Sequence, residues 1–192
     1  MATRVIDDSK LQDIAVAIRG KDGGGQMTVD QMPTRIEENL QSKAVLDSVI
    51  DGSITSIESD VTNIRNHAFR SLSSLVEASF LNAIAIGSSA FFQCLHLSRS
   101  AFFSAETIGT SVFIDCSRLS TVILGQRAAL SNSNALVNCP AIIYVKPEDL
   151  SWYSTATNWS TLYAQDRIKS IEDLTGDDLV WYQEQLARYQ AA

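Results

Sequence analysis

Three cysteines, Cys94, Cys116 and Cys139, are the residues whose type and spacing come nearest to chemistry. They recur at intervals of 22 and 23 residues, so a repeating structure would place them at equivalent positions. Stacked about 5 Å apart, the parallel-strand spacing, three thiols would form a column able to hold a soft metal. The rival reading is a buried ladder of small apolar thiols. The ladder fits better. No Cys-x-x-Cys pair supplies the spacing usual for zinc, and Leu72 takes the same place one period earlier with no replacement ligand. An odd number of cysteines also argues against a disulfide scaffold.

The other reactive types are sparse. His67 and His96 fall at different phases of the period, and neither has an evident Ser or Cys nucleophile arranged with it. The acidic pairs Glu37-Glu38 and Asp177-Asp178 sit in charged zones and read as solvated surface rather than acid/base machinery. The nearly neutral middle, residues 66–145, holds only Glu77, Glu106 and Asp115, at unrelated phases. Gly23-Gly24-Gly25 lacks the Gly-Lys-Ser/Thr ending of a phosphate loop. Trp152, Tyr153, Trp159 and Tyr163 would suit a sugar-binding surface, but packing over the end of a stack explains them better. The expectation is therefore no catalytic residue, no metal, no cofactor and no enzymatic activity.

The elements behind these residues follow from a repeat. Ala68-Phe69, Ala90-Phe91, Val112-Phe113 and Ala135-Leu136 are spaced 22, 22 and 23 residues apart. Three residues after the large member come Leu72, Cys94, Cys116 and Cys139. Three further on come Leu75, Leu97, Leu119 and Ile142. Ile64, Ile86 and Ile108 precede the first three units, and Phe80, Phe102 and Leu124 follow the leucines. One unit of this length cannot bury its own apolar side, whereas stacked units share a continuous core. The alternation in Leu119-Ser-Thr-Val-Ile-Leu124 suits a strand with one face inward. The Ala-Phe-x-x-Cys segment reads as a short helix or turn that lays Phe and Cys on the same core.

These units resemble the BspA-type leucine-rich repeat, Ile-Gly-x-x-Ala-Phe-x-x-Cys-x-x-Leu, over residues 54–145. The clearest copies are "IGSSAFFQCLHLSRSAF" (86–102) and "IGTSVFIDCSRLSTVIL" (108–124). The first unit has Arg65 for Gly and Leu72 for Cys, and the last loses the Ile-Gly and the Phe. "IIYVKPEDLSWYSTATNWSTLYAQDRIKSI" (142–171) is similar to the ending that closes such stacks, a strand followed by an aromatic helix. The resemblance implies an α+β repeat solenoid of stacked leucine-rich-type coils with a short parallel sheet. A small helical N-terminal segment precedes it and a helical C-terminal cap follows. The expected divisions are an attachment segment (1–45), the repeat stack (46–145), and the cap with a terminal helix (146–192).

In the head, Leu11, Ile14, Ala15 and Ile18 share one face of an expected helix over 9–19. A second helix starts at Thr28 or near Pro33, with Met32 and Ile36 on one face. The stretch 11–39 resembles the N-terminal segment of tail-associated minor structural proteins in phages of Gram-positive bacteria. That likeness implies attachment to a virion through Leu11, Ile14, Ile18, Met32 and Ile36. In the tail, Leu179, Tyr182, Leu186 and Tyr189 form a helical stripe expected to pack on a neighbour.

On the strands, Glu77, Ser79, Arg99, Ala101, Thr121 and Ile123 should face outward and form a candidate binding surface. Glu77 should pair with Arg99 across strands. Residues 66–145 carry only seven charges, so other subunits are expected to cover part of this face.

Net charge of −7 disfavours nucleic acid and anionic membranes as partners. The uncharged stretch 78–98 contains Asn82, Gly87 and Gln93 and is too polar to span a bilayer. Met1 to Lys21 mixes charges without a secretory pattern, so assembly in a bacterial cytoplasm is expected. The leading role is a bacteriophage virion structural protein, tail-associated as fibre, baseplate or receptor-binding component. Its partners would be other virion proteins, further copies of itself, and a host surface protein or glycan. A cell-surface adhesin of the same repeat family is the alternative.

Overall fold

The computed structural model describes residues 5–6 and 54–191. Its strands in chain order are β1 (Val5–Ile6), β2 (Ser56–Ser59), β3 (Asn63–Ile64), β4 (Glu77–Ser79), β5 (Ala85–Ile86) and β6 (Arg99–Phe102). Then follow β7 (Thr107–Ile108), β8 (Thr121–Leu124), β9 (Ala129–Leu130), β10 (Ile142–Val145) and β11 (Ile168–Ser170). The α-helices are α1 (Leu150–Tyr153), α2 (Ser160–Ala164) and α3 (Gly176–Ala191).

Each repeat is one coil that contributes two strands, not one. A seven-stranded parallel sheet runs β1-β2-β4-β6-β8-β10-β11, and a four-stranded parallel sheet runs β3-β5-β7-β9. The register carries the period: Glu77 pairs with Arg99 and Arg99 with Thr121, while Asn63, Ala85, Thr107 and Ala129 follow one another in the second sheet. The expected single sheet is thus corrected to two. The strands of the second sheet are two residues long, too short to display alternation in the sequence.

The core lies between the sheets. Phe69, Phe91 and Phe113 stack with ring centroids 5.3 and 5.5 Å apart, and Phe80 and Phe102 form a parallel row at 6.2 Å. All five are buried. The column residues of the repeat are therefore two interleaved aromatic ladders, and each ring contact adds about 0.5–1.5 kcal/mol beyond area burial.

The Ala-Phe-x-x-Cys segments are turns in the first three coils, and only the last begins with a short 3-10 helix, Ser133–Leu136. Two positions in each of the first three turns take the left-handed conformation, His67, Ser89 and Ser111 before the small residue and Ser71, Gln93 and Asp115 after the large one, and Asn138 does so in the last. Alternating the backbone this way aims every second N–H group at the next coil. Phe69 N donates to Ala90 O at 2.7 Å, Ser71 N to Phe92 O at 2.7 Å, and Phe91 N to Val112 O at 3.0 Å. The turns are thereby tied to each other as the strands are.

Gly87 and Gly109 sit where neighbouring coils touch. A Cβ on Gly87 would lie 2.4 Å from the backbone at Arg65 and Asn66, and one on Gly109 2.6 Å from Ser88 N. Only glycine permits that approach.

The far end is closed by α1 and α2. Tyr153 and Trp159 are buried with rings edge-on at 5.1 Å. Their polar tips pair with the last coil: Tyr153 Oη donates to Gln126 O and accepts from Ala128 N, and Trp159 Nε1 donates to Ala128 O at 2.7 Å. Asn158 and Arg167 bond the carbonyls of Leu130, Cys139 and Ala141. Of the four aromatics that would suit a sugar surface, these two are lid, Trp152 is half-buried against the core, and Tyr163 is exposed.

The helices expected in the head, with Leu11, Ile14, Ile18, Met32 and Ile36, lie outside the described residues. What is described there is β1, an unexpected strand added to β2 with Val5 opposite Glu58.

Candidate interaction surface

The side chains expected to present an open binding row do point away from the main core, but they are not open. Ser79, Ala101, Thr121 and Ile123 are each at most 3% exposed, while Glu77 and Arg99 are half-buried. The cover is α3. Ala101, Phe103 and Ile123 form a second apolar cluster with Leu174 and Trp181, flanked by Leu81, Tyr144, Leu179, Tyr182 and Leu186. The expectation of a free row is corrected: within this chain these residues are covered by its own terminal helix. The reason is long-range: a sheet face carrying Ala, Phe and Ile and a helix carrying Trp, Tyr and Leu bury each other.

The helix sits differently from its most visible stripe. Tyr182, Leu186 and Tyr189 lie along one flank, whereas the buried centre is Trp181 and Gln185. Polar contacts fix the angle. Arg99 pairs with Glu77 at 2.7 Å, as the cross-strand register required, and its guanidinium lies 5.4 Å from the Trp181 ring. Asp178 accepts from Thr121 Oγ1 at 2.6 Å and from Arg99 at 3.5 Å. At the other end Arg188 pairs with Glu58 of β2, Tyr189 Oη meets Ser104 Oγ at 3.2 Å, and the Tyr189 ring lies edge-on to Phe103 at 5.2 Å. Trp181, Gln185 and Arg188 were not singled out from the sequence. The signal was the Asp-Asp-x-x-Trp start of the helix, which places Trp181 one turn after Asp177 and Asp178.

Among the described residues, two cavities lie beside α3. One of about 150 Å³ lies toward β2, and one of about 320 Å³ lies on the flank of Phe103, Ile123, Lys146 and Tyr182. Tyr189 lines both.

The cysteine column is the ladder it was expected to be. Cys94, Cys116 and Cys139 are buried free thiols. Cys94 Sγ donates to Phe69 O and Cys116 Sγ to Phe91 O, each at 3.0 Å. Burial pushes the Cys94 thiol up to about 12 and raises the other two as well, so they are poor thiolate ligands and nucleophiles. Among the described residues no group of three or more His, Cys, Asp or Glu is arranged to hold a metal, and no helix is long and apolar enough to cross a membrane.

His67 occupies one of the left-handed turn positions, and the His96 ring bonds Ser73 O of the preceding coil. Glu77 is spent on Arg99, and Asp115 bonds Asn138 at 2.9 Å in the next coil. The repeat-zone acids are thus used in holding neighbouring strands and turns together, apart from the exposed Glu106.

A family model described as BspA type Leucine rich repeat region matches residues 50–153, in six copies. The chain belongs to this family. The BspA-type pattern now has a physical reading in each of its positions: Ile for the second sheet, Gly for coil contact, Ala-Phe for the turn and ring ladder, Cys for the thiol-to-carbonyl bond, Leu for the core before the outer strand. No curated protein and no solved structure matches the chain significantly.

Proposed function

We propose that this chain is a non-catalytic interaction protein that uses its repeat stack and the helix laid across it as a rigid binding platform. The observation that carries this is how the polar and reactive groups of the stack are used. Thiols, ring-ladder turns and most acids are committed to joining one coil to the next, and the outer face is committed to α3. What such an architecture offers a partner is extended, preorganised surface.

In its finer form the proposal is a virion structural protein assembled in a bacterial host, tail-associated as fibre, baseplate or receptor-binding component. Other virion proteins, further copies of the chain, and a host surface protein or glycan would be its partners. The support is the likeness of residues 11–39 to the N-terminal segments of phage tail proteins. The adhesin reading shares the repeats and differs in location. Antibody raised against the chain, applied to purified phage particles and to intact bacteria, tests this. Label on particle tails is the expected result. Label on cell surfaces alone would replace the virion reading with the adhesin one, and label on neither would overturn both.

A further inference from the structure

Behind the wall of the cavity between α3 and β2 lie two buried oxygens whose hydrogen bonds are unmet among the described residues. Glu58, Leu81, Asn82, Gln185, Arg188 and Tyr189 line it. Glu58 is 7% exposed and Gln185 3%. Arg188 takes Oε1 of Glu58, which leaves Oε2 of Glu58 and Oε1 of Gln185 buried with no hydrogen-bond partner among the described residues. Buried polar atoms are nearly always paired, and an unpaired acceptor weakens the fold that holds it. Two of them beside one cavity of about 150 Å³ would each gain a partner from a hydrogen-bond donor bound there.

The charges around the cavity choose the donor. A cation entering here meets the guanidinium of Arg188, already seated on Glu58. An anion meets Glu58 and Asp60, which also lines the wall. A neutral hydroxyl suits both signs, because it donates its hydrogen to a carboxylate or amide oxygen and accepts from Arg188 or Asn82 with its lone pairs. The terminal torsions of Glu and Gln are broad, so the two hidden oxygens can turn onto such a group. Leu81 and Tyr189 supply an apolar wall for a C–H face. The Tyr189 ring is held by Ser104 and Phe103 and also lines the larger cavity.

We propose that the cavity flanked by Glu58, Gln185, Arg188 and Tyr189 is a binding site for a neutral saccharide, with adjacent ring hydroxyls on the two unpaired oxygens and the ring's C–H face on Tyr189. This names a ligand class for one face of the platform and rests on the interaction reading above.

The test is saturation-transfer NMR on the full chain. Glucose, galactose, N-acetylglucosamine and rhamnose are offered separately, and n-butylammonium and inorganic phosphate serve as charged probes. Transfer to the ring protons of at least one sugar is expected. Tyr189→Ala and, independently, Asn82→Ala should each weaken that binding about tenfold or more, with circular dichroism showing an unchanged fold. No transfer to any sugar from the folded chain would overturn the proposal, leaving the cavity to water. Binding of n-butylammonium or phosphate in place of sugars would overturn it equally. Particle or cell-surface labelling that persists while the sugars fail would sink this inference alone. Sugar binding without such labelling would sink only the location.

Discussion

Replacing Gly109 with alanine adds one methyl group at the place where two coils touch. Its Cβ would stand 2.6 Å from Ser88 N and 2.9 Å from Gly87 C and Ser88 Cα. Ordinary contact begins at 3.4 Å, so the coils must part by about 0.8 Å. All three neighbours are backbone, and no side-chain rotation can relieve them. Overpacking of this kind costs about 1–3 kcal/mol. Parting the coils also stretches Gly109 N→Ile86 O at 2.8 Å and Ser89 N→Thr110 O at 2.9 Å, each worth about 1 kcal/mol net. The expected loss is therefore about 3 kcal/mol, a large share of the roughly 5–15 kcal/mol typical of a domain. Urea unfolding followed by tryptophan fluorescence reads it through Trp152, Trp159 and Trp181. Gly176→Ala is the control: nothing lies within 4 Å of its Cβ, and only the φ of +58° is strained, for about 1–2 kcal/mol. If Gly109→Ala unfolds within about 0.5 kcal/mol of the parent, or is milder than Gly176→Ala, then close backbone contact between coils is not what that glycine provides.

Three further outcomes follow from the same contacts. Tyr153→Phe should lose about 1–3 kcal/mol, because the buried Ala128 N–H loses its acceptor; thermal melts against Tyr163→Phe, an exposed ring, provide the comparison. Trp181→Ala should lose about 3 kcal/mol or more and expose Ala101, Phe103 and Ile123, read as a lower urea midpoint with increased binding of an apolar dye. The buried thiols favour their protonated form, since the Cys94 value rises from 9.0 to about 12. Their contribution is complete below pH 9 and is lost as pH rises toward 12, at up to about 1.4 kcal/mol per pH unit per thiol; Cys94→Ala should flatten that alkaline slope in urea titrations at graded pH.

The parts of this fold written in the sequence are those repeated along it. Phe69, Phe91 and Phe113, with Leu75, Leu97 and Leu119, announce the stacked coils, because each copy must meet the same core. The cap was legible in Tyr153 and Trp159 because a stack end needs an apolar lid. Other features carry weak local signals. Ser71, Gln93, Asp115 and Asn138 adopt left-handed turns without being glycine, so their conformation shows only in the inter-coil bonds they make. Ile64, Ile86 and Ile108 form a visible column but not a visible sheet. The cover over the outer face is not legible in the sequence, because Ala101 and Ile123 lie far along the chain from Trp181 and no repeat marks their contact. Gln185 is polar inside an apolar stripe, and its meaning depends on Glu58, which the fold alone brings near.

The most direct measurement is a set of NMR distance contacts in the chain. Contacts between Ala78, Ser100 and Val122, each 22 residues from the next and paired in the register, together with contacts from the Trp181 ring to Ala101 and Ile123, are the expected result. Contacts at three- and four-residue spacing throughout residues 66–145, or a Trp181 ring touching neither strand, would contradict the stacked coils and the helix across them.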